Sequence, residues 1–163
     1  GQMVRAKAEQ GLKAPGIHRT YLALVEGKVV PVSGVIDAPI ARQEDRCLRR
    51  VVDFKRGDRA VTHYRVLTGW QTGNAQKFRS LVKLQLETGR THQIRVHMAH
   101  IGHPLLGDLV YGHKRPEKGL SGQCLHARAL RFIHPRTGAL VTFTCPLPDY
   151  FQDVLARLGP PVG

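Results

Sequence analysis

The residues best suited to chemistry are concentrated in one short stretch near the middle of the chain. Four histidines and two arginines lie between Arg90 and His103. A partly buried arginine needs an anionic partner, because an uncompensated charge in a low-dielectric environment is costly. Histidine titrates near neutral pH and can act as a general acid or base. The stretch therefore indicates an anion-handling or acid–base site, with capping and bracing of a buried helix as the plainer alternative.

A metal site is a further interpretation of the same histidines. His97 and His100 are spaced to share one face of a helix, whereas His92 and His97 are not. The sequence has no His-Glu-x-x-His pattern and no closely paired cysteines, which are the usual zinc spacings. We therefore expect no metal ion here. A serine nucleophile elbow, a Walker-type loop and a dinucleotide-binding glycine motif are also missing, and we expect no cofactor.

A helix is the element expected to carry this stretch. Ile94, Met98 and Ile101 recur at helical spacing and form an apolar stripe within Thr91–Ile101. Gly102 follows directly, at the position where a helix C-terminal cap belongs. The central helix is therefore predicted near residues 91–101.

The rest of the chain is predicted to form strands, turns and one further helix. The run Thr20–Val25 is almost continuously apolar, which predicts a buried strand. Closely spaced β-runs around a central helix indicate an α+β class with a mostly antiparallel, mixed β-sheet. The other predicted strands are Val29–Ile36, Val51–Phe54, Ala60–Leu67, Ser80–Leu86, Leu125–Phe132 and Ala139–Thr144, with a loop over residues 69–77 and a C-terminal helix over Asp149–Leu158 that has Asp149 as its N-cap.

Charge gives the broadest functional indication. Lys and Arg total 25 against 12 Asp and Glu, a formal net charge of +13. So large an excess favours polyanionic partners, nucleic acid first, although a basic surface without chemistry would have the same composition. No apolar run is long enough to span a membrane, and the first residues do not form a secretory signal.

Three cysteines indicate a reducing compartment. Cys47, Cys124 and Cys145 are odd in number and widely spaced, which argues against a disulfide framework and for a cytoplasmic protein. Cys145 ends an apolar run, so we expect it to be a small buried hydrophobic residue rather than a nucleophile.

The central stretch also carries a resemblance to a known family. Leu86–His97, which reads LETGRTHQIRVH, closely resembles the third signature motif of the RluA-type pseudouridine synthases. The resemblance spans roughly residues 17–158, so we expect residues 1–16 to form an irregular tail and 17–163 the C-terminal portion of such a catalytic domain. Further matches are Ile101–Pro104, Gly107-Asp108, Tyr111-Gly112, Tyr21–Gly27, Gly34–Ile40, Ala60–Leu67, Leu125–Ala127 and Phe143–Pro148.

The resemblance implies a reaction and a set of site residues. Members of the family detach the base of a flipped-out uridine, turn it and rejoin it to C1′ through carbon, using an aspartate nucleophile and no metal or organic cofactor. The resemblance further implies that Tyr21 stacks against the base and assists proton removal from C5, and that Arg95 forms an ion pair with the aspartate. Leu125 would be the apolar wall of the base pocket. Arg90 and His92 would bind substrate, with bracing of the turn as the alternative for Arg90.

The sequence departs from the family pattern at the nucleophile. The family's aspartate lies in a His-Arg-Leu-Asp motif upstream of the tyrosine strand, and this sequence contains no Arg-Leu-Asp. Asp37 and Asp108 fall in other motifs and do not inherit its role. We therefore expect the nucleophile motif to lie outside this chain, so that the chain alone is inactive and Arg95 awaits its carboxylate from elsewhere.

Three functions follow as hypotheses. The first is a pseudouridine synthase acting on ribosomal or transfer RNA, and the second is a non-catalytic RNA-binding module that keeps the fold but not the chemistry. The third, a metal-dependent hydrolase built on the histidines, has the weakest support. A sheet without its N-terminal strands would expose an edge, so we also expect self-association.

Overall fold

The fold is a six-stranded antiparallel sheet with two helices, and it is seen in a computed structural model that describes residues 18–43, 49–72, 77–112, 116–117 and 119–162. In chain order, the elements are β1 His18–Glu26, β2 Ser33–Asp37, β3 Ile40–Arg42, β4 Arg50–Val52, β5 Val61–Thr72, β6 Lys77–Leu86, α1 Gln93–His100, β7 Leu125–Ile133, β8 Leu140–Thr144 and α2 Asp149–Leu158. The strands of the main sheet run antiparallel in the order β2-β5-β6-β1-β7-β8. A separate hairpin pairs β3 with β4. The α+β class is confirmed, and every strand pair in the described residues is antiparallel.

Strand β1 lies inside the sheet and is covered on both faces. Successive side chains of a strand point to opposite faces. Ala23 and Val25 pack in the core that includes α1, whereas Leu24 packs in the core that includes Phe151 of α2. This two-sided burial explains why the strand is almost continuously apolar. Because Tyr21 shares the parity of Ala23, it lies on the α1 face.

Helix α1 is buried between the main sheet and the small hairpin. Ile94 and Met98 pack on the sheet, as their helical spacing predicts. Val96 lies on another side of the helix and contacts the cluster that contains Ile40 of β3. The helix ends as predicted, because Gly102 has φ +88° and its N–H donates to the Ala99 carbonyl.

The structure corrects one predicted strand and one predicted loop. The strand predicted over Val29–Ile36 begins only at Ser33. The loop predicted over residues 69–77 is wrong for its described ends, because β5 continues to Thr72 and β6 begins at Lys77. Trp70 is buried and its indole N–H donates to the Gly159 carbonyl at 2.9 Å, so tertiary contacts keep this glycine- and glutamine-containing segment extended.

Three smaller predictions also need correction. Helix α1 starts at Gln93 rather than Thr91. Pro148, with extended backbone, is the N-cap of α2, and Asp149 is its first helical residue, where its charge favours the positive end of the helix dipole. Cys145 is exposed rather than buried. The predicted tail over residues 1–16 and Cys47 lie outside the described residues. In the part of the chain that is described, no helix is long and apolar enough to cross a membrane.

Candidate active site

A cavity of about 310 Å³ lies where the start of α1 faces strands β1 and β7. All five residues that the sequence singled out line it: Tyr21, Arg90, His92, Arg95 and Leu125. The remaining lining residues are Leu86, Gln93, Ile94 and Gln123. The strands thus supply mainly apolar and aromatic side chains to its wall, and the turn and start of α1 supply mainly arginine, histidine and glutamine side chains. Such a mixed cavity suits a flat polar ring more than an aliphatic chain.

Tyr21 and Leu125 reach the cavity because of the register between β1 and β7. Leu125 pairs with Ala23, and Tyr21 pairs with Ala127, so the two lie diagonally across one face of the sheet. The register shifts between Thr20 and Tyr21. An irregularity of this kind increases the local twist and can re-aim a side chain, and such irregularities are common beside active sites.

Arg95 forms a buried, bidentate ion pair with Asp108. Its Nε donates to Oδ2 at 2.8 Å and its Nη2 donates to Oδ1 at 3.0 Å. The arginine side chain is 11% exposed and the aspartate side chain is fully buried. The expectation that Arg95 depends on a carboxylate from elsewhere is therefore wrong in one respect, since Asp108 already compensates its charge. The pair uses two of the five guanidinium N–H donors.

The environment of Asp108 suits support rather than nucleophilic attack. Its Oδ1 also accepts hydrogen bonds from the backbone N–H groups of Val110 and Tyr111, both at 3.0 Å. Burial alone would raise the pKa of this carboxyl, but the hydrogen bonds from Arg95, Tyr111 and Val110 outweigh burial and lower it. Asp108 is therefore ionised at neutral pH, with no exposed oxygen to attack a sugar carbon.

Tyr111 connects several residues of the site. Its ring lies 5.0 Å from the guanidinium carbon of Arg95, within the range of a cation–π contact. Its hydroxyl accepts the backbone N–H of Arg50 at 2.9 Å and lies 2.8 Å from Nδ1 of His92. Tyr111 thus positions both His92 and Arg95.

His92 is held in an unusual backbone conformation at the N-cap of α1. Its φ is 57° and its ψ is 23°, the left-handed region that a non-glycine residue seldom adopts. Burial lowers its pKa, and the positive charges of Arg95 and Arg50 lower it further. The ring is therefore neutral at pH 7. In the neutral ring one nitrogen donates and the other accepts, so Nδ1, which is hydrogen-bonded to the Tyr111 hydroxyl, and Nε2 have opposite roles.

A chain of buried hydrogen bonds fixes α1 against β5. Gln93 accepts from the Thr88 hydroxyl at 2.7 Å through Oε1, and it donates through Nε2 to the Thr62 hydroxyl at 3.0 Å. Thr62 in turn lies 2.7 Å from Nδ1 of His97. The Nε2–H of His97 donates to the Ala38 carbonyl at 2.8 Å. Each side chain in this series of hydrogen bonds has a partner, so the helix that carries Arg95 has one defined position.

Arg90 lies at the mouth of the cavity and also braces the turn. Its Nε donates to the Arg59 carbonyl at 3.1 Å, and its backbone N–H donates to Oε1 of Gln93 at 3.0 Å. Arg90 is exposed and lines a second cavity as well as the first. Both alternatives considered for this residue, bracing and availability to a ligand, are thus compatible with its position.

Sequence reasoning missed several residues that define the site. Tyr111 and Gln93 were noted as motif positions without a role, and Gln123 was not noted at all. The signal for Tyr111 was its short distance in sequence from Asp108, which places both in one turn after the helix. Gln123 had only its closeness to Leu125 as a signal.

Metal-ligand groups and reactive thiols are not a feature of this region. The residues described by the structure contain no cluster of three or more histidine, cysteine, aspartate or glutamate side chains that could hold a metal ion. Burial raises the pKa of the Cys124 thiol to about 12, so this cysteine is protonated at neutral pH.

Comparison with known proteins identifies the family of this chain. The model of the RNA pseudouridylate synthase family matches residues 1–100. An uncharacterized RNA pseudouridine synthase of Chloroflexus aurantiacus is 44% identical over 165 residues, covering 97% of this chain and 50% of the relative. The ribosomal large subunit pseudouridine synthase D of Haemophilus influenzae is 40% identical over 166 residues, covering 94% of this chain and 49% of the relative.

A solved structure shares this fold. Human RNA pseudouridylate synthase domain containing 1 superposes with a TM-score of 0.66 at 28% identity, covering 100% of this chain and 75% of its own. The chain belongs to the RNA pseudouridylate synthase family, in its RluA-type branch. It spans about half the length of the curated relatives it matches.

Proposed function

We propose that the protein containing this chain isomerises uridine to pseudouridine in RNA. The observation that carries the proposal is the single cavity lined by Tyr21, Leu125 and the Arg95 that Asp108 holds in place. The reaction breaks the N1–C1′ bond, forms a C5–C1′ bond, and moves hydrogen from C5 to N1 through solvent. It needs no net co-reactant, because the product is an isomer of the substrate.

The proposed roles divide between the strands and the start of α1. Tyr21 stacks on the uracil ring and assists loss of the C5 proton, while Leu125 closes the apolar side. The guanidinium donors of Arg95 that Asp108 does not use would hold the nucleophilic aspartate, which we place outside this chain. On this proposal Asp108 fixes the orientation of Arg95, and Arg95 orients the nucleophile.

The neutral ring of His92 and the exposed side chain of Arg90 support a role in substrate binding. We assign to His92 the tautomer in which Nδ1 accepts from the Tyr111 hydroxyl and Nε2–H donates to a carbonyl of the base or a ribose oxygen. We propose ribosomal or transfer RNA as the substrate, because one relative carries a ribosomal large subunit name and the chain has a net charge of +13. Free thiols at Cys124 and Cys145 support a cytoplasmic location.

Release of tritium from RNA labelled at C5 of uridine tests this function. The natural full-length protein should release tritium from C5-labelled RNA and should leave C6-labelled RNA unchanged, because only the C5–H bond is broken. Absence of release from a panel of ribosomal and transfer RNA would contradict the proposal.

A non-catalytic RNA-binding module is the second candidate, and the missing Arg-Leu-Asp sequence favours it. Such a module would bind RNA with steep salt dependence and would release no tritium in its natural full-length form. The same assay, run beside a filter-binding titration, therefore separates the two functions.

A further inference from the structure

A second cavity of about 330 Å³ lies beside the candidate active site. Its walls come from the β3–β4 hairpin, from Asp58 ahead of β5 and from the turn between β6 and α1. The backbones of Asp58 and Ile40 exchange hydrogen bonds at 2.8 and 2.9 Å, which joins the hairpin to the segment before β5. The polar residues lining the cavity are Arg42, Arg50, Asp58, Gly89, Arg90 and Thr91.

The charge of this second cavity favours an anion. Among the described residues that line it, Arg42, Arg50 and Arg90 supply three guanidinium groups against the single carboxylate of Asp58. A guanidinium presents planar N–H donors that match two phosphate oxygens at once. The backbone N–H of Arg50 donates to the hydroxyl of Tyr111, and the ring of the same tyrosine contacts the guanidinium of Arg95. Tyr111 therefore positions both arginines.

Arg90 joins the two cavities, because it lines both. In a polynucleotide every nucleoside is flanked by phosphates, so a uridine in the first cavity carries a phosphate to each side. A strand leaving the first cavity past Arg90 would bring its next phosphate to the three arginines.

We propose that the second cavity binds a backbone phosphate of the RNA strand adjacent to the target uridine. The proposal rests on the proposed function, since it takes the first cavity as the place of that uridine. It assigns to Arg42 and Arg50 a role in holding the strand, with Arg90 at the boundary between base and backbone.

Charge-removing variants of the natural full-length protein test the site. In Arg42→Gln and in Arg50→Gln, affinity for a target RNA oligonucleotide should fall by about 10-fold. This is about the loss in affinity expected when one charge-assisted hydrogen bond is removed. The slope of log affinity against log salt should decrease by about 0.7 for each lost phosphate contact. Arg136→Gln is the matched control, because Arg136 lies in the exposed turn between β7 and β8 and lines neither cavity.

The position of the phosphate is tested with neutral methylphosphonate linkages placed singly along the oligonucleotide. The defect of Arg50→Gln should disappear when the neutral linkage is next to the target uridine and should persist when it is several nucleotides away. A defect of the same size at every linkage position, or variants that bind as tightly as Arg136→Gln, would overturn the proposal. Inorganic phosphate that binds through Arg50 while RNA affinity is unchanged would also overturn it.

Tritium release by the wild-type protein on the same oligonucleotide keeps the two proposals distinguishable. If no tritium is released but binding still depends on Arg50 and on the adjacent linkage, the isomerase function fails and the phosphate site stands. If tritium is released and binding is insensitive to Arg42 and Arg50, the phosphate site fails and the function stands.

Discussion

Arg95 is the residue around which the site is organised, and two neighbours limit its freedom. Asp108 holds one edge of the guanidinium through two hydrogen bonds, and the ring of Tyr111 covers it at 5.0 Å. A flexible side chain would lose conformational entropy on binding a second carboxylate, whereas one already held loses little. On the proposed function, Arg95 would therefore orient the reacting group at low entropic cost.

Asp108→Asn is expected to destabilise the fold by about 3 kcal/mol, because removing one partner leaves a buried charge uncompensated. If the asparagine amide takes the place of Oδ2, its N–H would meet the N–H of Arg95. Urea unfolding of Asp108→Asn, of Arg95→Met and of the double variant measures the coupling between them. The double variant should be less destabilised than the sum of the single variants, and strictly additive losses would contradict a direct pair.

Tyr111→Phe is expected to lower the rate of tritium release while costing only about 1 kcal/mol of stability. The variant keeps the ring over Arg95 but removes the hydroxyl that bonds His92 and the backbone of Arg50. Tyr64→Phe is the matched control, since it removes a hydroxyl that donates to the Pro31 carbonyl away from the cavity. Equal effects of the two substitutions on the release rate would show that the Tyr111 hydroxyl has no positioning role.

At the scale of elements, α1 and β1 bring the site together. The apolar pattern of each segment predicted the helix and the buried strand. The end of α1 at Gly102 was predictable because a left-handed cap favours glycine. The start was not, because His92 adopts a conformation that its residue type disfavours and that its contact with Tyr111 supports.

The five cavity residues were predicted from the resemblance to family motifs. Their assembly into one cavity depends on contacts between residues far apart in sequence, which local sequence patterns do not predict. The register of β1 against β7 decides that Tyr21 and Leu125 share a face. The pairing of Arg95 with Asp108 depends on the turn after α1, whose two backbone N–H groups fix the carboxylate. Likewise, the apolar sequence around Cys145 predicted burial, but only an additional strand or helix over β8 could have provided it.

The docking of α1 on β5 should make stability depend on pH through His97. Burial lowers the pKa of His97, partly offset by the hydrogen bond to the Ala38 carbonyl, with a further small lowering by His100 and an opposing effect of Asp37. The unfolded chain therefore binds a proton more readily than the folded one as pH falls below about 6.5. The contribution of neutral His97 to stability is complete above that pH and is lost as pH decreases.

Urea unfolding between about pH 7.5 and pH 5.5 measures this dependence. The wild type should lose stability on acidification, and His97→Gln should lose less over the same range because it has no such proton to bind. His100→Gln, on the exposed side of the same helix, should behave as the wild type. Parallel curves for the wild type and His97→Gln would exclude this source of pH dependence.

At the scale of the whole molecule, charged and apolar side chains lie in different regions of the surface. Strand β8 forms one edge of the main sheet. Three arginines surround the second cavity next to the candidate active site, while the β7–β8 edge exposes apolar side chains. The described part of β8 pairs with β7 and with no other strand. The molecule thus presents one region suited to RNA and another suited to contact with protein.

Self-association of this chain is predicted to depend on that edge. Phe143 is 56% exposed on β8, and an edge strand with apolar side chains can pair with a second copy. Sedimentation velocity over a range of concentrations should show association that Phe143→Glu reduces. Leu67→Glu is the control, because Leu67 is similarly exposed on β5, which has strand partners on both sides. A monomer at all concentrations would contradict the prediction.

The central claim is that Arg95, held by Asp108, orients the group that attacks the target uridine. Single-turnover tritium release from C5-labelled RNA by Arg95→Met, in the natural full-length protein, tests it most directly, with Arg136→Gln as the control for loss of charge. The account predicts that Arg95→Met slows release by about 100-fold or more, as expected when an electrostatic group of an active site is removed, while RNA affinity changes little. Unchanged release in Arg95→Met, or an equal loss in Arg136→Gln, would contradict it.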